Sequence, residues 1–279
     1  MTTIYFYIKL LRPLNVMTGA AAMLIATAIL DEFSNVRIML LLSFIVMMYT
    51  AASNALNDAI DHEVDLINRP MRPIPSGYVT VNGALYLSFI LFTIGSVLCI
   101  QLPDSAIVIG VFVAVPLMIV YSTHLKGRGL IGNLVVALML GMAFLFAGAA
   151  YGNIEPMWIP MLLAFGLTLV RELVKDIADI EGDQFSGLNT FPIVFGMNRS
   201  IQLVIVLCVL IGLCSFIPYI KGVYDQGYVV PLIIGVEIPL MIVTFILINN
   251  PSISSAIYSA RILKFSTLMG LFSIYSGTT

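Results

Sequence analysis

Apolar runs of about 20 residues, separated by short polar connections, fill most of this sequence. A helix of that length crosses the apolar core of a bilayer and satisfies its own backbone hydrogen bonds there. The chain is 60% apolar and 10% charged, far from the roughly 25% charged residues of a soluble domain. The pattern predicts an all-α integral membrane protein with about nine transmembrane helices, at 13–30, 38–60, 81–102, 105–122, 134–151, 157–175, 200–220, 229–248 and 257–274.

The basic residues predict an orientation in the membrane. With nine spans, eleven of the thirteen Lys and Arg residues lie on or near one side, whereas Arg37 and Lys221 lie on the other. Lys and Arg are concentrated in cytoplasmic loops. We therefore expect a multi-pass cell-membrane protein whose N-terminus and charged loops are cytoplasmic. Residues 1–12, with Lys9 and Arg12, are typical of a short amphipathic segment at the membrane surface.

An acidic segment, NALNDAIDHEVD at 54–65, ends the second predicted span. At spacings of i, i+3 and i+7, Asp58, Asp61 and Asp65 would lie on one face of a helix. Clustered carboxylates repel one another and are costly to desolvate, so water or a cation must compensate them. A solvated helix end that carries a charge run is one explanation. Oxygen ligands without His or Cys favour a hard divalent cation, Mg²⁺ above all.

A second copy of this segment favours the metal-site interpretation. A shift of 118 residues places 54–65 over ELVKDIADIEGD at 172–183, and the two copies together hold nine of the fifteen acidic residues. The shift aligns Asp58, Asp61 and Asp65 with Asp176, Asp179 and Asp183. Both copies end spans of the same direction, which predicts a parallel internal repeat with halves at roughly 13–133 and 134–279 of a single transmembrane domain. We expect the two acidic faces to oppose each other across a central cavity and to hold one or two Mg²⁺ ions.

A metal-bound polyanion beside an apolar cavity suggests a prenyl diphosphate, which has an anionic head and an apolar tail. Mg²⁺ makes diphosphate a good leaving group because it neutralises the charge that grows as the C–O bond breaks. An allylic carbocation would follow, and apolar walls would keep water away from it. Direct positive contacts to the anion are expected from Arg12, Arg69, Arg72, Lys126 and Arg171.

Two motifs resemble those of the UbiA-type membrane prenyltransferases. NDAIDHEVD at 57–65 and DIADIEGD at 176–183 are similar to the paired NDxxDxxxD and DxxDxxxD motifs of that family, and YSTHLK at 121–126 is similar to its tyrosine-to-lysine loop. The resemblance covers nearly the whole chain. It implies that Asn57, Asp58, Asp61, Asp65, Asp176, Asp179 and Asp183 hold Mg²⁺ and diphosphate. The catalytic candidates are Asp61, Asp65, Asp179, Asp183 and Lys126, and the substrate-binding candidates are Arg12, Arg69, Arg72, Tyr121, Lys126, Arg128 and Arg171.

The sequences that flank the motifs indicate an acceptor. INRPMRPIPSG at 67–77 and GLNTFPIVFG at 187–196 most resemble the ether-lipid branch of the family. That resemblance implies transfer of a geranylgeranyl group to the sn-2 hydroxyl of geranylgeranylglyceryl phosphate, with the hydroxyl proton passing to a diphosphate oxygen or to an aspartate such as Asp65 or Asp183. Arg128, Lys175 or Arg199 could bind the acceptor phosphate.

Two alternatives stay open on the sequence alone. The acceptor could be aromatic, of the hydroxybenzoate, naphthoate, haem or chlorophyllide type. A secondary transporter is a more distant alternative, since transporter sites lie near the bilayer midplane and their repeats are often inverted. The expected partners are a prenyl diphosphate donor, a lipid phosphate acceptor and membrane lipids. The sequence has no basic patch with interleaved aromatic residues, so nucleic-acid binding is not predicted. No protein partner is predicted either.

Several residues inside apolar runs are predicted to have packing roles. Cys99, Cys208 and Cys214 are expected to be small core residues rather than disulfides or metal ligands. Gly141 is expected to allow close helix contact. Glu237 lies within a predicted span, where an isolated carboxylate normally faces the protein interior or a cavity.

Overall fold

The computed structural model describes residues 3–278, and over that range the regular secondary structure is helical apart from one isolated β-bridge between Arg128 and Asn189. Several helices begin at a polar residue whose side chain accepts a hydrogen bond from the first turn, as Thr80 does from the Gly83 N–H at 3.0 Å and Ser252 from the Ser255 N–H at 3.2 Å. Such caps satisfy backbone donors that the helix leaves unpaired. The helices are α1 (Thr3–Leu10), α2 (Pro13–Ile29), α3 (Val36–Ile60), α4 (His62–Asn68), α5 (Val81–Cys99), α6 (Asp104–Leu125), α7 (Gly129–Tyr151), α8 (Trp158–Ala178), α9 (Ile180–Phe185), α10 (Phe191–Phe195), α11 (Met197–Ile220), α12 (Gln226–Asn249) and α13 (Ile253–Ser276).

The membrane-spanning architecture is confirmed, but the count of nine spans is not. Within residues 3–278, seven helices are long and apolar enough to cross a membrane, and an eighth span arises if α1 and α2, which meet at a bend of 48°, are counted as one. The last helix, α13, has 24 residues but lies outside this set. It carries Arg261 and Lys264, which are unfavourable in a bilayer. The seven helices are α3, α5, α6, α7, α8, α11 and α12.

The chain forms two compact units. The first contains the described residues up to Lys126 together with Ala143–Met157, and the second contains Gly127–Met142 together with the described residues from Trp158 onward. In the first unit, α3 packs mainly on α2 and α5. Close approach requires Gly95 on α5, because a Cβ there would lie 2.6 Å from Cε1 of Tyr49 on α3. Small residues at helix contacts are a common device in membranes.

The first acidic segment rests on a small apolar core. Phe6 and Leu10 of α1 are buried in this core together with Ala55 and Ala59 of α3. Phe6 also stacks on Tyr78 with ring centroids 3.6 Å apart. The predicted lead is thus helical over its described residues, with Phe6 and Leu10 packed on the protein and Ile4 and Ile8 exposed. Met1 and Thr2 lie outside the described residues.

In the second unit, α8 packs on α11 and α13. Gly141 lies in a close helix contact as predicted, since a Cβ there would come within 2.7 Å of the Met161 carbonyl oxygen. Glu237 is also accounted for, because Ser215 donates a hydrogen bond to it at 2.8 Å, linking α12 to α11. Its carboxylate therefore faces protein, as the sequence predicted.

The cysteines follow the packing prediction in two cases of three. Cys99 and Cys208 are buried, whereas Cys214 is exposed. The prediction of a core position for Cys214 was therefore wrong. It lies near the end of a membrane-spanning helix, where residues that face lipid are as apolar as residues that face protein, so apolar sequence alone does not predict burial.

Candidate active site

The first acidic segment is not one continuous helix. Helix α3 ends at Ile60 and α4 begins at His62, with Asp61 between them at φ −81° and ψ 6°. The predicted single helical face for the three aspartates is thus wrong in detail. The chain stays tightly coiled through the break, because the Asp61 N–H donates to the Asn57 carbonyl and the Asp65 N–H to the Asp61 carbonyl, each at 2.8 Å.

Two arginines bind the first and third aspartates of this segment. Asp58 and Asp65 are 2% and 3% exposed. Arg72 bridges them, with Nη1 3.1 Å from Asp58 Oδ1 and an ion pair to Asp65. Arg12 also pairs with Asp58, from a left-handed backbone conformation (φ 54°) at the bend between α1 and α2. Burial raises the pKa of the Asp65 carboxyl, and the charge of Arg72 opposes that rise without cancelling it.

A lysine binds the middle aspartate. Lys126 forms an ion pair with the buried Asp61. It follows directly on a π-helical turn, Tyr121–Leu125, whose first carbonyl accepts from the Lys126 N–H at 2.8 Å. Tyr121 is therefore a buried helical residue, not part of a loop as predicted. The structure thus brings three of the predicted anion-binding cations, Arg12, Arg72 and Lys126, onto the first acidic segment.

One buried oxygen at this segment has no hydrogen-bond partner. It is Oδ1 of Asn57, which has none among residues 3–278, whereas Asn54 donates to the Leu11 carbonyl at 2.9 Å. An unsatisfied amide oxygen beside buried carboxylates is a donor set that suits a hard divalent cation. The residues present therefore fit Mg²⁺, although no three Asp, Glu, His or Cys side chains in the described range are grouped as a ready metal site. In this structure the three aspartates of the first segment form ion pairs with Arg12, Arg72 and Lys126.

The second acidic segment repeats the backbone of the first. Helix α8 ends at Ala178 and α9 begins at Ile180, with Asp179 between them at φ −99° and ψ 6°. The Asp183 N–H donates to the Asp179 carbonyl at 3.1 Å, and Asp183 is buried. Both segments thus break at the aspartates that the 118-residue shift aligns.

The partners in the second segment are different. Asp176 accepts a hydrogen bond from Nδ2 of Asn133 at 2.9 Å, and Asn133 is buried. Arg171 and Lys175 both bind the buried Glu172, at 3.1 and 2.6 Å. Sequence reasoning missed Asn133. The only feature of the sequence that could have indicated Asn133 is its position in the first turns of α7, the span before the one that ends in the second acidic segment.

The remaining predicted residues lie in connections. The backbone N–H of Arg69, the residue after α4, donates to the Asp65 carbonyl at 2.9 Å. Arg128 is exposed in the three-residue connection before α7. That connection is held by two backbone hydrogen bonds, from Gly129 to Asn189 at 2.7 Å and from Asn189 to Gly127 at 2.8 Å.

Comparison with known proteins identifies the family. Residues 15–268 match the model of the UbiA prenyltransferase family. The chain belongs to that family. This UbiA-family chain is 34% identical over 273 residues to the digeranylgeranylglyceryl phosphate synthase of Methanosphaera stadtmanae, covering 97% of this chain and 98% of the relative. It is likewise 34% identical over 276 residues to the synthase of Saccharolobus solfataricus, covering 98% and 96%.

Solved structures agree with this membership. One that concerns digeranylgeranylglyceryl phosphate synthase in membranes is 28% identical, with TM-score 0.76 and coverage of 100% of this chain and 99% of the other. A UbiA homologue from Archaeoglobus fulgidus, solved with DMAPP and Mg²⁺, shares the fold at 19% identity, with TM-score 0.67 and coverage of 95% and 98%. The protein is thus a membrane prenyltransferase of the UbiA family.

Proposed function

We propose that this enzyme transfers a geranylgeranyl group from its diphosphate to the sn-2 hydroxyl of geranylgeranylglyceryl phosphate, a step in ether-lipid synthesis. The prenyl-diphosphate chemistry is supported above all by the first acidic segment, in which three buried aspartates meet Arg12, Arg72 and Lys126. The acceptor is supported by the synthases, which this chain matches over nearly its whole length. The proposed acceptor rests on the similarity to these synthases, because the geometry of the site does not distinguish one acceptor from another.

The residues that would hold the metal are the predicted set. In the first segment they include Asn57, whose buried Oδ1 is unpaired among the described residues. When bound, Mg²⁺ neutralises the charge that develops on the departing diphosphate. The full set is Asn57, Asp58, Asp61, Asp65, Asp176, Asp179 and Asp183.

Three basic side chains exchange partners when substrate binds. Arg12, Arg72 and Lys126 neutralise carboxylates in this structure. With a divalent cation on these carboxylates, Arg12, Arg72 and Lys126 would be available for diphosphate oxygens. Every buried charge stays compensated through the exchange, and this matters because an unpaired buried charge is costly.

The transfer needs no strong base. The C1–O bond to diphosphate breaks with its electron pair going to the leaving group, and the resulting allylic cation bonds to the sn-2 oxygen. The oxygen then loses its proton to a diphosphate oxygen, to Asp65 or to Asp183. Arg128 and Arg199, both exposed, are assigned to the acceptor phosphate. We also propose that the N-terminus and the acidic segments are cytoplasmic, on the basis of the basic residues.

A turnover assay in detergent tests this function. Purified protein is given geranylgeranyl diphosphate and Mg²⁺ with either geranylgeranylglyceryl phosphate or 4-hydroxybenzoate, and products are identified by mass. We expect a doubly prenylated glycerol phosphate that EDTA abolishes. A prenylated aromatic product would reassign the acceptor, and absence of product with both acceptors would overturn the proposed reaction.

A further inference from the structure

A groove lies at the end of α3 that is remote from the acidic segment. It is about 310 Å³ in volume and is lined by residues of the first turns of α3 and the end of α5, namely Arg37, Leu40, Leu41, Phe44, Leu98 and Gln101. Helix α3 has 25 residues, so its two ends are roughly 37 Å apart. The groove is therefore separate from the candidate active site, at the opposite end of the same membrane-spanning helix.

The mouth of the groove is polar and carries one positive charge. Arg37 and Gln101 are both exposed. Within the described part of the chain, the Arg37 side chain forms no ion pair or hydrogen bond. Arg37 is also one of only two basic residues that the sequence places on this side of the membrane, the other being Lys221. Its guanidinium can therefore contact an anion that comes from outside the described chain.

The wall below the mouth is apolar. Leu40 and Phe44 are 48% and 51% exposed, and Leu98 closes the other side. Arg37 and Phe44 are two helical turns apart, which is roughly 10 Å along the axis. A ligand that fits would carry an anionic head and a hydrocarbon tail that lies along the helix.

We propose that this groove binds a membrane phospholipid with an anionic headgroup. The lipid phosphate lies at Arg37 and Gln101, and the first part of one chain lies against Leu40, Phe44 and Leu98. A soluble anion would leave the apolar wall unused, and a zwitterionic lipid would bring its own positive charge close to Arg37 together with its phosphate. A single Arg near the membrane surface favours an anionic lipid about fivefold. The site does not depend on the proposed reaction.

Lipid retention by the purified protein tests the site. The protein is prepared in detergent with equal amounts of dioleoyl phosphatidylglycerol and dioleoyl phosphatidylcholine, and the retained lipids are measured by native mass spectrometry. We expect the wild type to retain phosphatidylglycerol about fivefold over phosphatidylcholine, and Arg37→Gln to lose most of this preference. Lys221→Gln is the matched control, because Lys221 is exposed and predicted on the same side, yet lies outside the groove. It should keep the preference.

A second variant tests the groove itself rather than the charge. Leu40→Trp fills the apolar wall while Arg37 stays in place, so retention of phosphatidylglycerol should fall as it does in Arg37→Gln. An equal preference in the wild type and Arg37→Gln would overturn the proposal. So would an equal loss in Arg37→Gln and Lys221→Gln, since that result would indicate a general surface charge effect, or full retention by Leu40→Trp.

Discussion

The two acidic segments share a backbone and differ in their partners. Each ends a long helix, breaks at its middle aspartate and continues in a short helix. In the first, Asp58 pairs with two arginines. In the second, the aligned Asp176 accepts from the neutral amide of Asn133. The two segments therefore hold their carboxylates on the same backbone conformation. The side chains that bind the first aspartate are charged in the first segment and neutral in the second.

The divergence suggests a division of roles. Arg12, Arg72 and Lys126 give the first segment the cations needed to contact a diphosphate directly. In the second segment, Arg171 and Lys175 bind Glu172, and a neutral amide orients Asp176 without compensating its charge. The first segment thus binds its first aspartate with guanidinium groups, whereas the second binds the aligned aspartate with an amide. The predictions below test this contrast.

The largest effect is expected at the two helix breaks. Asp61→Asn and Asp179→Asn should each lower turnover about 100-fold or more, because each removes a proposed charged metal ligand and, with it, electrostatic stabilisation of the leaving group. Turnover of purified protein in detergent measures this effect. Glu63→Gln and Glu181→Gln are matched controls, since both glutamates are exposed, and they should keep full turnover. Activity in either aspartate variant near that of its control would contradict the equivalence of the segments.

A smaller effect, confined to the first segment, is expected from Arg72. Arg72→Gln leaves Asp58 and Asp65 without a shared cation, so the variant should be less stable to heat in detergent, because buried carboxylates lose a partner. The kcat/KM for the diphosphate should fall about tenfold or more, through a higher KM. Mg²⁺ should restore more thermal stability to this variant than to the wild type. If Mg²⁺ stabilises both equally, the metal does not take over the partners of Arg72.

The matching change in the second segment is Asn133→Ala. Because its amide orients Asp176, loss of the amide should raise the Mg²⁺ concentration needed for half-maximal turnover about tenfold and leave turnover at saturating Mg²⁺ largely unchanged. Direct Mn²⁺ binding measured by electron paramagnetic resonance should weaken in parallel. In an Asp176→Asn background the same substitution should have no further effect on Mn²⁺ binding. An equal additional loss there would assign Asn133 a purely structural role.

Sequence patterns predicted the parts of this molecule that depend on local order. Hydrophobic run length predicted a membrane protein of long apolar helices, and the spacing of carboxylates predicted that the two acidic segments match. The helix breaks at Asp61 and Asp179 could not be predicted, since i, i+3 and i+7 spacing is equally compatible with a continuous helix. Asn133 was missed because its partner Asp176 lies 43 residues away, and a single Asn near a helix start has many uses. Hydropathy is also ambiguous for α13, which carries two basic residues and six serines among its apolar residues.

The smallest expected effect separates acceptor binding from the chemistry of the two acidic segments. Arg128 is exposed and is assigned here to the acceptor phosphate. Arg128→Gln should therefore raise the KM for geranylgeranylglyceryl phosphate about fivefold, the scale of one exposed charge–phosphate contact. The KM for geranylgeranyl diphosphate and the Mg²⁺ requirement should stay at wild-type values. Initial rates measured against each substrate in turn distinguish the two constants. A higher KM for the diphosphate instead would assign Arg128 the same role as Arg12, Arg72 and Lys126, which is contact with the diphosphate. The two acidic segments would then differ less in the cations near them than their present partners indicate.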